Sequence, residues 1–158
     1  MFRELSRKQK QLSPEESIAI LKQELRGVLS VLGDDDYPYG MPMNHWYDDR
    51  DCCIYFHCGI AGHRTDALAR HNKVSFCVYD GGFREEGEWA LHIRSVVVFG
   101  RMEILDDPDR IVDITARLSH KFTQDEAYIQ SEIARYAKGT RLLRLTPEHI
   151  CGKAVVES

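Results

Sequence analysis

The residues best suited to chemistry lie in one segment, YFHCGIAGHRTDAL, from Tyr55 to Leu68. A predicted strand ends at His57, and a glycine-containing loop leads to His63 and Arg64 at the start of a predicted helix. Free backbone N–H groups, the positive end of a helix dipole and a guanidinium would together suit a phosphate monoester. The spacing matches neither the phosphate-binding loop of nucleotide hydrolases nor the GxGxxG fingerprint. On this segment alone, a capped surface helix with a solvated arginine is the better interpretation.

Metal-binding residue types also occur here, because His57, Cys58, His63 and His71 fall within fifteen residues. Neighbouring residues on a strand point to opposite faces, so His57 and Cys58 would not face one ion. His63 and His71 stand about two helical turns apart, without HExxH or CxxC spacing. We therefore predict no metal centre. A Cys–His nucleophilic pair is disfavoured for the same geometric reason.

The elements that position this segment follow from hydrophobic spacing and turn signals. Ser13, Pro14 and Glu16 form a capping box that begins the first helix. Gly100 predicts a bulge or bend in a long β-branched strand. The acidic run at residues 34–36 indicates a solvated hairpin tip. Helices are predicted at residues 14–25, 63–72, about 108–118 and 126–137, and strands at 27–32, 41–47, 52–58, 73–79, 91–105, 141–147 and 149–156.

Composition limits the class of protein. A chain of 158 residues, 43% of them hydrophobic, can bury one core. The 25 acidic and 21 basic side chains give a net charge of -4, which disfavours nucleic acid or an anionic membrane as a partner. No apolar run approaches the roughly 20 residues of a membrane-spanning helix, and no signal peptide is apparent. Five cysteines without a CxxC pair indicate reduced thiols, with Cys52, Cys53 and Cys77 as small core residues. We expect a single cytoplasmic domain over residues 1–158, with its core at about 13–153.

Several segments, taken in order, resemble a known family. They are GVLSVL, YPYGMPMNHWYDD, IYFHCGIAGHRTDALARHNKVSFCVYD, IRSVVVFGRMEILDD and LLRLTPEHICGK. Their order is similar to that of the FMN-binding split-barrel superfamily, and within it to the pyridoxamine 5'-phosphate oxidase-like branch that includes 5-nitroimidazole resistance proteins. The resemblance runs from about Ser13 to Lys153. It implies a mainly β fold, namely an antiparallel split β-barrel with peripheral helices, and FMN as the cofactor.

The resemblance also implies a set of cofactor-binding residues. Those expected along the flavin ring and ribityl chain are Pro42, Met43, Asn44, Tyr55, Phe56 and His57. The pair matched to the phosphate grip is His63 and Arg64, in which a histidine replaces a more common arginine or lysine. Those expected to reach the cofactor of a second subunit are Arg94, Ser95 and Val96.

The function implied is that of a homodimeric oxidoreductase with FMN at the subunit interface and a small-molecule substrate. His57 is the expected catalytic residue, for a proton or substrate contact, and nitro-group reduction is the most specific activity suggested. Pyridoxamine phosphate oxidation is disfavoured because the C-terminal tryptophan and arginine arrangement of that oxidase is missing, leaving Lys153 as the cation near that end. The alternatives are a non-enzymatic flavin or haem module, with a histidine as axial ligand, and a cofactor-free barrel. Trp46 and Trp89 could cover the flavin or cap the barrel.

Overall fold

The computed structural model describes residues 1–157. Within them the strands are β1 (Arg26–Leu32), β2 (Pro38–Asn44), β3 (Trp46–Asp48), β4 (Cys53–Gly59), β5 (Lys73–Tyr79), β6 (Leu91–Leu105) and β7 (Thr140–Glu157). The helices are α1 (Pro14–Gln23), α2 (His63–Arg70), α3 (Pro108–Ser119) and α4 (Glu126–Tyr136). Short 3-10 turns lie at Lys8–Lys10, Asp34–Asp36 and Ala137–Gly139. No helix among these residues is long and apolar enough to cross a membrane.

All seven strands form one antiparallel sheet in the order β2-β1-β5-β6-β7-β4-β3. The twist of the strands curls the sheet until β2 approaches β4 without joining it by a ladder of backbone hydrogen bonds. We call this gap the β2–β4 seam. The result is the predicted antiparallel split β-barrel with helices at its periphery.

Alternating side chains of the strands fill the barrel. Leu29, Phe56, Phe76, Val98 and Leu145 are fully buried in one interior cluster. The outer face of β4 instead packs against α3, where a second cluster contains Tyr55, Ile111, Ile114 and Leu142. Successive residues of β4 therefore serve two cores.

Most predicted elements are confirmed, with differences at junctions. The capping box forms, but α1 ends at Gln23 because β1 already begins at Arg26. The predicted strand 41–47 divides at His45, so that β2 pairs with β1 whereas β3 pairs with β4. The two predicted C-terminal strands are one continuous strand, β7, that serves both β4 and β6.

Two local predictions concern single residues. The register of β6 against β7 shifts between Phe99 and Gly100, as predicted, and a Cβ on Gly100 would lie 2.2 Å from the Thr146 carbonyl oxygen. Cys53 is buried as predicted and Cys77 is half-buried. The prediction that Cys52 is a core residue is wrong, because Cys52 occupies an exposed turn at φ 57°.

Candidate functional site

The start of α2 presents unpaired backbone donors. Gly62 precedes the helix at φ 137° and supplies no capping side chain. The first helical hydrogen bond runs from the Asp66 N–H to the Gly62 carbonyl, which also accepts from the Thr65 hydroxyl at 2.7 Å. The N–H groups of His63, Arg64 and Thr65, in the first turn of the helix, have no partner within residues 1–157. An opening of about 180 Å³ lies here, lined by Tyr39, Ala61, Gly62, His63, Arg64 and Thr65. We call it the α2 cradle.

Arg64 brings a positive charge to the α2 cradle without a counter-ion. Its Nη1 lies 3.4 Å from the Met43 sulfur and 3.9 Å from the Met41 sulfur, at the β2–β4 seam. Its Nε is buried and has no hydrogen-bond partner in the described chain. A guanidinium against two thioethers is poorly solvated and poorly paired, which favours an anion from outside the chain. The residues of the α2 cradle therefore fit a phosphate.

His63 is engaged elsewhere. Its ring stacks on Tyr39, with centroids 4.4 Å apart, and its Nε2 accepts a hydrogen bond from the Asp34 N–H at 3.3 Å. The Asp34 carboxylate in turn binds Arg70 at 2.5 Å. The imidazole therefore ties α2 to the β1–β2 turn, and Arg64 alone carries the permanent charge of the predicted basic pair.

A second opening of about 340 Å³ lies between the barrel and the α3–α4 hairpin. We call it the roofed cavity. Asn44 from the end of β2 and His57 from β4 form its barrel side. Its other wall is largely apolar and aromatic, and includes Leu118, Phe122, Tyr128, Ile129, Ile133 and Tyr136. The volume is within the range of small-molecule sites.

The polar atoms of the roofed cavity lack partners. Asn44 Oδ1 and Thr115 Oγ1 are buried, and neither makes a hydrogen bond within residues 1–157. The His57 side chain is exposed to solvent, yet partial desolvation and then the positive charge of Arg64 lower its pKa below the ordinary value. His57 is therefore a neutral imidazole at pH 7. Arg64 contacts Met43 and the next residue, Asn44, lines the roofed cavity, so the α2 cradle and the roofed cavity meet successive residues of β2.

Other predicted site residues offer less to a ligand. Pro42 is exposed and Met43 is buried beneath Arg64. The side chain of Phe56 fills the barrel core. The Tyr55 hydroxyl donates to Asp51 at 2.6 Å and accepts from Arg110 at 2.7 Å, on the outer face of β4. Their side chains line neither opening, so contact of Tyr55 and Phe56 with a cofactor would involve the backbone.

The third predicted group lies on the first half of β6. Arg94 pairs with Asp80 at 2.7 Å, Val96 is fully buried in the barrel, and Ser95 stands between Tyr79 and Lys153 in the ladder. Within one chain these residues line neither opening.

Neither tryptophan lines the roofed cavity or the α2 cradle. Trp46 packs on Tyr55 and lies beneath the Arg50 guanidinium. Trp89 is 73% exposed in the loop before β6.

Sequence reasoning missed the contribution of the α3–α4 hairpin. Tyr128, Glu132 and Tyr136 recur every four residues, so they share one face of α4 and all line the roofed cavity. That spacing was the available signal. Thr115 on α3 lies among residues treated only as an amphipathic helix.

Buried polar residues hold this hairpin against the barrel. Lys121 Nζ donates to the carbonyls of Glu24 at 2.6 Å and His45 at 2.9 Å, and burial lowers its pKa to about 8. His45 is completely buried, with Nε2 2.7 Å from the Leu21 carbonyl oxygen. Burial, and then the charge of Lys121, lower the pKa of His45 to about 3. Since His45 follows Asn44 directly, these bonds fix one wall of the roofed cavity.

Solved structures from several bacteria share this fold. A protein with a proposed role in 5-nitroimidazole antibiotic resistance, from Bacteroides thetaiotaomicron VPI-5482, is 18% identical with a TM-score of 0.79, over 91% of this chain and 86% of the other. An FAD-binding protein from Mesorhizobium loti is 21% identical with a TM-score of 0.65, over 92% of this chain and 97% of that protein. An FAD and heme binding protein from Mycobacterium smegmatis is 19% identical with a TM-score of 0.73, over 94% and 74%. These identities establish likeness of fold alone, and no curated protein matches the chain.

The sequence itself matches a family. The family described as pyridoxamine 5'-phosphate oxidase covers residues 13–154, which include β1 to β6, most of β7 and both openings. This agrees with the resemblance noted from the ordered motifs. The chain therefore belongs to the pyridoxamine 5'-phosphate oxidase family.

Proposed function

We propose that this chain is an FMN-dependent oxidoreductase acting on a small molecule. The observation that carries the proposal is Arg64, a poorly solvated guanidinium without a counter-ion beside the free N–H groups of α2. Phosphate supplies the missing anion. The adjoining roofed cavity offers space for a second molecule. Further support comes from the FAD-binding protein of Mesorhizobium loti and the FAD and heme binding protein of Mycobacterium smegmatis, which share the fold.

The chain's residues would divide the work between the two openings. Arg64 and the α2 N–H groups would hold the phosphate, and the backbone at the end of β2, next to Asn44 and His57, would lie beside the flavin ring. FMN, when bound, supplies the electron-transfer chemistry. His57, kept neutral by its lowered pKa, can donate a hydrogen bond from one ring nitrogen and accept at the other. It is the residue we assign to a proton or substrate contact.

Dimerisation is part of the proposal. Leu25, Val28 and Tyr79 are 45%, 36% and 58% exposed on an open face that also includes Pro42. A second copy of the chain would cover this apolar face and bring its own Arg94, Ser95 and Val96 towards the flavin. Light scattering across a concentration series, read with flavin fluorescence, tests this. A monomer that retains FMN would contradict the shared site.

Nitro-group reduction is the activity we propose to test first, because the Bacteroides neighbour has a proposed role in 5-nitroimidazole resistance. The purified protein should bind FMN and show its absorption bands. After chemical reduction, a nitro compound should reoxidise the bound flavin faster than it reoxidises free reduced FMN.

Two outcomes would contradict this proposal. Failure to bind FMN would remove the cofactor assignment. Bound FMN that reacts no faster than free FMN would favour the non-enzymatic flavin-binding alternative. The haem-binding alternative is tested by adding haem to the purified protein. A Soret band shifted by histidine ligation would favour that alternative. A cytoplasmic location remains an expectation from composition.

A further inference from the structure

The roofed cavity has a charge pattern that the proposed function leaves unexplained. No lysine or arginine is among its lining residues, and its histidine, His57, is neutral at pH 7. Glu132 on α4 is the single carboxylate in the wall. Two cations lie behind the wall: Arg64, which contacts Met43 and would be neutralised by a bound phosphate, and Lys121, whose ammonium is held by the carbonyls of Glu24 and His45. Glu132 is therefore the charged side chain that a ligand inside the cavity would meet directly.

Glu132 is half-buried and lacks a partner. Within residues 1–157 it forms neither an ion pair nor a side-chain hydrogen bond. The other glutamate of α4, Glu126, accepts from Gln130 at 2.9 Å and lies 3.3 Å from His120. Arg135, one turn after Glu132, lies over the ring of Tyr136, 5.1 Å from its centroid. The Glu132 carboxylate therefore remains available to a ligand.

The rest of the cavity wall specifies the shape and polarity of that ligand. Asn44 Oδ1 is a pure acceptor and needs a donor. The Thr115 hydroxyl is also buried without a partner, so it can accept another hydrogen bond from the same ligand. Phe122, Tyr128 and Tyr136 supply aromatic surface, which suits a flat molecule and attracts positive charge at the ring face.

We infer that the roofed cavity binds a small planar amine or amidine, whose positive charge meets Glu132 and whose N–H groups meet Asn44 and Thr115. The inference rests on the proposed function in one respect, since it requires a substrate of the oxidoreductase, a nitro compound included, to carry such a planar cationic group. Binding itself requires only the cavity. An anionic substrate such as a phosphate ester is disfavoured, because the wall offers it no cation.

Three nearly isosteric probes test the charge preference: benzamidine, benzamide and benzoate. Their binding to the full chain is measured by calorimetry or ligand-observed NMR, with and without FMN. We expect benzamidine to bind roughly tenfold more tightly than benzamide, as for one charge-assisted hydrogen bond, and benzoate to bind most weakly. Benzoate binding as tightly as benzamidine would overturn the inference without any variant.

A matched pair of variants then locates the preference. Glu132→Gln should remove the advantage of benzamidine over benzamide, whereas Glu126→Gln, on the same helix but outside the cavity, should leave it unchanged. The assignment to Glu132 would be contradicted if both variants lost the preference for benzamidine equally. It would also be contradicted if Glu132→Gln kept that preference.

The affinity for FMN, measured on the same samples, separates the two proposals. If FMN binds but the probes show no charge preference, the ligand class is wrong and the flavin assignment stands. If the preference is present but FMN does not bind, the cavity assignment stands and the proposed oxidoreductase function is wrong.

Discussion

Replacement of Arg64 by methionine should have opposite effects on binding and on stability. The guanidinium of Arg64 contacts the sulfur atoms of Met41 and Met43, so a methionine side chain would lie in an already apolar setting. The change removes the charge assigned to the FMN phosphate. It also removes a buried Nε that has no partner in the free protein. FMN should therefore bind more weakly while the flavin-free protein unfolds at a higher temperature.

The magnitudes follow from the two roles of the guanidinium. A hydrogen bond to a charged group contributes about 1.5–3 kcal/mol, which corresponds to roughly 10- to 150-fold in the dissociation constant for FMN. Riboflavin lacks the phosphate, so its affinity should change little. Relief of one buried unpaired donor should stabilise the free protein by about 1 kcal/mol, or about 2–4 °C in Tm for a chain of this size.

The assay titrates FMN and riboflavin by quenching of flavin fluorescence and records thermal unfolding without flavin. Arg101→Met is the matched control, because Arg101 is an exposed arginine of β6 that pairs with Glu148 and lines neither opening. It should leave both flavin affinities unchanged. The reasoning is refuted if Arg64→Met weakens the binding of FMN and of riboflavin equally. It is also refuted if the wild-type protein binds both flavins with the same affinity.

Three further changes test neighbouring residues. Thr115→Val removes a buried unpaired hydroxyl, so it should raise Tm by about 2–4 °C and weaken the binding of benzamidine. A lower Tm would contradict this expectation. His57→Ala should leave FMN bound but slow reoxidation of the reduced flavin by a nitro compound in stopped flow; a wild-type rate would refute its role. The folded pKa of His45, about 3, lies below its unfolded value, so the unfolded chain alone binds this proton between pH 6.5 and 3. As the pH is lowered through that window, the free energy of unfolding should therefore fall by up to about 1.4 kcal/mol per pH unit. His45→Gln should reduce this dependence on pH, which is measured by urea denaturation at pH 7, 6, 5 and 4. Parallel wild-type and His45→Gln curves would contradict the assignment.

The fold was largely predictable because local chemistry and final structure agree along most of the chain. The Ser13 capping box, the β6 run and the bend at Gly100 each appear as expected. The division of the chain at His45 was not predictable from local pattern. MPMNHWY alternates as one strand would, but the buried bond from the His45 ring to the Leu21 carbonyl redirects the chain. That interaction joins residues 24 apart and depends on the tertiary fold.

The candidate site was predictable only where the relevant residues are close in sequence. His57 and Arg64 come from one segment, and His57 lines the roofed cavity whereas Arg64 lines the α2 cradle. Thr115 and Glu132 enter through packing of the α3–α4 hairpin over the barrel, which no local motif encodes. The engagement of His63 with Asp34 and Tyr39 likewise depends on how the β1–β2 turn folds against α2.

Unpaired polar atoms concentrate where ligands are proposed. In the described part of the chain, five buried side-chain atoms lack hydrogen-bond partners, and three of them belong to Asn44, Arg64 and Thr115. Each lowers the stability of the free protein, since a buried polar group without a partner costs about 1–3 kcal/mol. A ligand that supplies the partner recovers this free energy and stabilises the folded state through binding. Substitutions that stabilise the free protein at these positions should therefore be the ones that weaken binding. A change at Arg64 should weaken binding of the anion, and a change at Thr115 should weaken binding of the amine.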